Sequence, residues 1–147
     1  MKRISALAIL PLVLILFYAS GASAGAQVRI RVIEASNIGS GVDPNLTGIH
    51  NQLGSLFNFN SYRLLRDVNL SLTGNRPVDL AAHPGRSLEV TLVGEYKNLI
   101  ELRIRVKREG ASILDTSVRL SSRRRVIFIG GPRHGEGALI FAISALF

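Results

Sequence analysis

Cysteine and tryptophan are absent from this 147-residue chain, and it contains a single methionine. Without cysteine there is no disulfide framework, no thiol chemistry, and no residue that carries the lipid of a bacterial lipoprotein. Small extracellular eukaryotic domains are usually stapled by disulfides, so a cysteine-free exported domain favours a bacterial source. Aromatic residues make up only 6% of the chain, and Tyr96 is the only ring near the basic residues 103–107, so a platform that stacks single-stranded nucleic acid is unsupported. We therefore expect no nucleic-acid partner.

Acidic residues are also scarce, since the chain has 10 of them against 18 Lys and Arg, a formal net charge of +8. Lys2 and Arg3 are the only charged residues among the first 24, so the remaining 123 residues carry 16 basic and 10 acidic side chains, a net +6. This excess favours anionic partners such as lipid head groups, cell-wall polymers or acidic proteins. It equally serves to keep a small domain soluble, and both interpretations stay open.

The N-terminus has the three parts of a secretory signal. Lys2 and Arg3 give a positive start, residues 6–18 form an apolar run, and Ala22-Ser23-Ala24 supplies small residues before a cleavage site. The alternative is a retained membrane anchor, but Pro11 interrupts the run, and a spanning helix needs about 20 apolar residues. We predict a cleavable signal peptide over 1–24, a single β-rich domain over 25–147, and a periplasmic or secreted location.

Alternating apolar and polar residues, the period of a half-buried strand, dominate the rest of the chain. The expected strands are residues 28–33, 61–65 leading into 68–72, 78–80, 88–92, 99–106, 113–120, 126–129 and 138–143. Asp43 and Pro44 are suited to begin one amphipathic helix over about 44–57. The continuous apolar run 126–129 is expected to be a central strand, and the glycine-rich residues 130–137 a connecting loop.

Short turns without crossover helices join these strands, which favours antiparallel pairing. The pattern predicts a mainly β fold, α+β by strict count. Its expected form is an antiparallel sandwich or half-open barrel of about seven or eight strands with one N-terminal helix.

The strand over residues 99–107 places its charges on one face. Arg103, Arg105 and Lys107 share that face, and Arg119 on the following strand is expected beside them, forming a basic stripe. Arg123, Arg124 and Arg125 are expected at a hairpin tip. Two interpretations are open: they bind an anionic group, or they are solvated and prevent the strand edges from pairing with another chain. The candidate binding residues are Arg103, Arg105, Lys107, Arg119, Arg123, Arg124, Arg125, Arg133 and His134.

Catalytic and metal-binding patterns are missing from the sequence. Its three histidines, His50, His83 and His134, lie more than thirty residues apart, so no metal site and no cofactor are expected. Residues 130–137 lack the Lys-Ser/Thr of a phosphate-binding loop. His134 with Glu136 resembles a base with its orienting carboxylate, but no nucleophile elbow stands beside them. We predict no enzyme, with a small hydrolase-like enzyme using this loop as the alternative.

The C-terminal Leu146-Phe147 follows an alternating apolar strand, as in outer-membrane β-barrels, which makes a small barrel a further alternative. Membrane strands need about ten residues and aromatic girdles, and several of these strands are shorter. We expect membrane contact to be peripheral at most. The oligomeric state is not defined by the sequence.

Three segments carry a family resemblance: Ser61-Tyr62-Arg63-Leu64-Leu65, residues 126–132 and residues 137–140. With them the chain resembles a group of short exported bacterial proteins of unknown function. The resemblance implies export and a β-rich fold, and its motifs contain no catalytic residue. The expected function is a non-catalytic binding or accessory module of the bacterial cell envelope. Its expected contact is a basic sheet face that meets another envelope protein or an anionic envelope component.

Overall fold

The structure is a computed structural model that describes residues 25–121, 125–135 and 137–146. The predicted signal peptide, residues 1–24, lies outside the described residues. Within them, no helix has the length and apolar character needed to cross a membrane.

Strands make up most of the described chain. In order, the elements are β1 (Gly25–Ser36), β2 (Gly41–Val42), a 3₁₀ turn (Pro44–Leu46), α1 (His50–Leu56), β3 (Ser61–Thr73), β4 (Val78–His83), β5 (Arg86–Tyr96), β6 (Leu99–Arg108), β7 (Ala111–Leu120), β8 (Val126–His134) and β9 (Gly137–Ala145). The predicted helix over 44–57 is present as the 3₁₀ turn followed by α1. Residues 47–49 separate the two and include Gly48, a poor helix former.

Two sheets face each other. Sheet A has the order β2-β3-β1-β9-β8 and sheet B the order β4-β5-β6-β7. The pairs are antiparallel except β2 with β3, which is parallel. Sheet A curls into a half-barrel. The predicted mainly β, antiparallel sandwich or half-barrel with one N-terminal helix is therefore confirmed.

The main core lies between the sheets. Alternation along each strand sends every second side chain inward, and these inward residues are Val28, Ile30 and Val32 of β1, Leu139, Phe141 and Ile143 of β9, and Leu88, Val90, Leu102, Ile104 and Val106 of sheet B. Phe141 is the largest side chain that is fully buried. The other face of these two central strands is apolar at Ile33 and Ala35 of β1 and at Ile140 and Ala142 of β9.

The apolar part of this other face of sheet A is covered by the 3₁₀ turn and α1. Leu46, Ile49 and Leu53 pack on Ile33 and Ile140 to form a second, smaller core. Polar contacts hold this cover in place. The Asp43 carboxylate accepts the backbone N–H groups of Asn45 at 2.9 Å and Leu64 at 3.1 Å, and the Tyr62 hydroxyl donates to the Phe57 carbonyl oxygen at 2.9 Å.

Two expectations about the C-terminal strands are wrong. β8 is an edge strand of sheet A, because β9 and not β8 pairs with β1. Its apolar run reflects burial on both faces: Ile127 and Ile129 meet the main core, while Phe128 stacks edge-to-face on Phe57 with ring centroids 6.5 Å apart. Residues 130–137 are no loop either, because β8 continues to His134 and the chain reverses at Gly135, where φ is +60°.

Candidate binding surface

The charged side chains of β6 point away from the main core. Leu102, Ile104 and Val106 are buried, so the residues between them face solvent. Arg119 of β7 stands on the same side, directly opposite Glu101 of β6. The structure thus brings together four of the candidate binding residues: Arg103, Arg105, Lys107 and Arg119.

Acidic residues from neighbouring strands interleave with these cations. Arg103 binds both carboxylate oxygens of Asp115, with Nε at 3.0 Å and Nη2 at 2.6 Å. The Nζ atom of Lys107 is 2.7 Å from Glu89 Oε2 and 3.5 Å from Asp79 Oδ1. Arg105 lies between the two pairs, with Nη1 3.5 Å from Glu89 Oε1 and Nε 3.8 Å from Asp115 Oδ2.

These contacts stabilise the charged forms of both partners. The hydrogen bonds from Arg103 lower the pKa of Asp115, and Asp115 in turn raises the pKa of Arg103. In the same way, the hydrogen bond from Lys107 lowers the pKa of Glu89, and that bond raises the pKa of Lys107. All four groups are therefore charged at neutral pH.

The result is a surface that we call the charged face. Its members are Asp79, Glu89, Glu101, Arg103, Arg105, Lys107, Asp115 and Arg119. Four cations meet four anions, so the basic stripe expected from β6 and β7 is neutralised. The sequence shows the acidic residues, but their approach to β6 depends on the register of β4, β5 and β7, which the alternation pattern does not give.

The other candidate residues lie elsewhere. Arg125 is exposed just before β8, and Arg133 is exposed within β8 of sheet A. Arg123 and Arg124 lie outside the described residues, as do Glu136 and the side chain of His134. Arg133 therefore stands on sheet A and not on the charged face of sheet B. The hydrolase-like interpretation of His134 with Glu136 stays a prediction.

Two glycines of the segment 130–137 occupy tight sites. A Cβ on Gly131 would lie 2.7 Å from Cε2 of Phe141 and 3.0 Å from the carbonyl oxygen of Leu139. A Cβ on Gly137 would overlap the carbonyl oxygen of Ala35 on the paired strand β1. Close packing between strands therefore explains glycine at both positions without any ligand.

A second polar cluster, on the outer side of sheet A, was missed in the sequence. Arg29 binds both carboxylate oxygens of Asp67, at 2.8 and 2.6 Å, which lowers the pKa of Asp67. Arg31 is only 7% exposed, and its Nε has no hydrogen-bond partner among the described residues. Burial and, after it, the charge of Arg29 lower the pKa of Arg31. The sequence signal that could have indicated this cluster is the alternation of Arg29 and Arg31 with the buried apolar residues of β1.

Two open clefts are present among the described residues. One of about 730 Å³ lies between the β4–β5 and β6–β7 turns, where Arg86 and Glu109 contribute to its lining. A smaller one of about 360 Å³ adjoins Arg29 and Asp67. Within the described part of the chain, no three His, Cys, Asp or Glu side chains are grouped so that they would hold a metal ion.

No protein-family model, no curated protein and no solved structure matches this chain. The resemblance to short exported bacterial proteins therefore stays a prediction. The geometry of the chain's own residues is the basis for a function.

Proposed function

We propose that this protein is a non-catalytic, exported accessory module of the bacterial cell envelope that binds another protein through the charged face of sheet B. The observation that supports this is the charged face itself. Its side chains are ordered on a rigid four-stranded sheet by the ion pairs around Arg103 and Lys107. Side chains that are already held in one geometry lose less conformational entropy on docking than free ones.

The charge balance of the face favours a protein over an anionic polymer. An anionic polymer or lipid surface attracts a face with excess positive charge, and here four cations are offset by four anions. A mixed pattern of charges instead selects a partner whose own pattern is complementary, and wrong partners are rejected by like-charge contacts. The signal-like residues 1–24 support a partner in the envelope.

A charge swap tests the proposal while it keeps the intramolecular pair. In the double variant Lys107→Glu/Glu89→Lys, the two exchanged side chains still attract each other, while their longer contacts to Asp79 and Arg105 become repulsive. The charge presented to a partner is inverted at these two positions. The matched control is Arg63→Glu/Glu34→Arg, which swaps the 2.8 Å ion pair between β3 and β1 on sheet A. Thermal unfolding of both variants checks that each is folded.

Binding is measured with immobilised protein against a detergent extract of envelope proteins and, separately, against vesicles containing anionic lipid. We expect a specific protein to be retained by the wild type and the sheet A control. The affinity of this partner for the Lys107/Glu89 variant should fall more than about tenfold, because the inverted residues of the variant then face like charges on the partner. Equal affinity for all three proteins would contradict the proposal. Retention of vesicles instead of protein would favour an anionic component, and N-terminal sequencing of exported protein would show whether it begins at Gly25.

A further inference from the structure

β7 is an edge strand of sheet B, and among the described residues no further strand pairs with its free side. An unpaired edge exposes backbone N–H and C=O groups that can take up another strand, and proteins usually protect such edges. The edge strand β4 has six residues and a bulge near Ala81, whose carbonyl oxygen accepts a hydrogen bond from Arg66. β8 carries a register shift after Gly130. β7 has ten residues, and its only irregularity lies at its start, opposite Lys107.

The side chains of β7 are complementary to a second copy of the same strand. Asp115, Ser117 and Arg119 are exposed and share the outer side. In an antiparallel pair centred on Ser117, Asp115 of each copy faces Arg119 of the other. Centring the pair on Asp115 or on Arg119 would instead set like charges against each other, which is destabilising.

The inner side of β7 fits the same register. Leu114 and Val118 are only partly buried in the single chain. With Ser117 on the axis, Leu114 would face Leu120 of the second copy, and Thr116 would face Val118. Uncharged side chains, mostly apolar, would thus meet each other on one side of the pair and opposite charges on the other.

The side chain of Arg119 is available for an ion pair with Asp115 of the second copy. It makes no ion pair with any other described residue, although it stands opposite Glu101 in the register. Asp115 is bound by Arg103, but a carboxylate has about four acceptor positions, so a second arginine can approach it. Each end of the pair would then hold an Arg103–Asp115–Arg119 triad across the two copies.

We propose that two copies of this chain associate through β7, antiparallel and centred on Ser117, into a symmetric dimer with a continuous eight-stranded sheet. Symmetric self-pairing of one patch is the commonest form of protein dimer. The dimer would double the charged face, but the inference does not depend on the proposed protein partner.

The first test uses charge complementation with protein expressed from the complete chain. Sedimentation velocity from about 1 to 100 µM covers the affinity range of a small interface. Wild type should dimerise as concentration rises. The dimer association constants of Arg119→Asp and of Asp115→Arg should each be lower than that of the wild type by about tenfold or more. An equimolar mixture of the two variants restores opposite charges at both ends and should recover dimer. A monomeric wild type, or a mixture as weak as its components, would overturn the proposal.

The second test reads the register and does not rely on charge variants being folded. The chain has no cysteine, so Ser117→Cys introduces a single thiol at the proposed axis. A short bifunctional maleimide should cross-link this variant to a dimer. The control Ser112→Cys lies on the same strand and is exposed, but its two copies would be roughly 33 Å apart at 3.3 Å per residue. Equal cross-linking of both variants would exclude this register.

Discussion

The glycine pair Gly130-Gly131 offers a sharp test of whether packing shapes the C-terminal hairpin. The two residues are adjacent on β8, but only one of them is crowded. A Cβ on Gly131 would overlap the Phe141 ring, which is fully buried in the main core. A Cβ on Gly130 would meet only Cε1 of Phe57 at 3.8 Å, an ordinary contact.

The expected magnitudes follow from these contacts. Forcing one extra carbon into a well-packed site costs about 1–3 kcal/mol. Alanine restricts the unfolded chain more than glycine does, which returns about 0.4–1 kcal/mol. Gly131→Ala should therefore lose about 1–2 kcal/mol of unfolding free energy, while Gly130→Ala should be neutral or gain about 0.4–1 kcal/mol. For a domain of this size the two melting temperatures should differ by roughly 5–15 °C.

Urea and thermal unfolding followed by far-UV circular dichroism measure the effect, since the chain has no tryptophan to report by fluorescence. Matched stability of the two variants would refute the packing explanation for Gly131. A larger loss at Gly130 than at Gly131 would refute it as well, because the order of the two sites is set by the distances to Phe141 and Phe57.

Three further predictions concern burial and charge. Phe141→Ala should cost about 3–5 kcal/mol of unfolding free energy in urea, because it empties the centre of the main core; a loss below about 1 kcal/mol would place the ring outside it. Arg31→Met should leave the protein at least as stable, since it removes a buried cation without a bonded carboxylate. Arg29→Met should destabilise it slightly, because Asp67 loses its partner in a pair that is partly exposed to solvent; the opposite order of the two variants in thermal unfolding would contradict this. The pKa values of Asp67 and Asp115 are lowered by hydrogen bonds from arginine, so their stabilisation should be complete above the ordinary Asp pKa of 3.8 and lost as the pH falls below it. Urea titrations at successive pH values should show that fall diminished in Asp115→Asn, and an unchanged pH profile would refute the role of the pair.

Much of the fold could be predicted from local pattern. The alternation of Leu102, Ile104 and Val106 with charged residues correctly indicated which side of β6 is buried, because side chains alternate across a strand. The short turns correctly indicated antiparallel pairing. The cap residues Asp43 and Pro44 marked the start of the helical segment, although Gly48 and its neighbours divide it into a 3₁₀ turn and α1.

The alternation pattern could not predict the order of the strands within sheet A. The apolar run of β8 suggested a central strand, yet β8 lies at the edge and owes its second apolar face to the ring of Phe57. The residue pattern of a strand indicates how many of its faces are buried. It does not indicate which element, another strand or a helical segment, buries each face. The glycines 131 and 137 were likewise visible, while the close contacts that require them come from β9 and β1.

The sequence by itself determined most of the strands, their inward and outward faces, and the excess of basic residues, because each of these depends on residue type and spacing along one segment. Only the tertiary structure decided how the charges combine. Glu89 and Lys107 are 18 residues apart, and Arg29 and Asp67 are 38 apart. Such pairs form because core packing sets the register between strands, and a shift of one residue would send every side chain to the opposite face. The register thus converts an expected basic stripe into a balanced charged face.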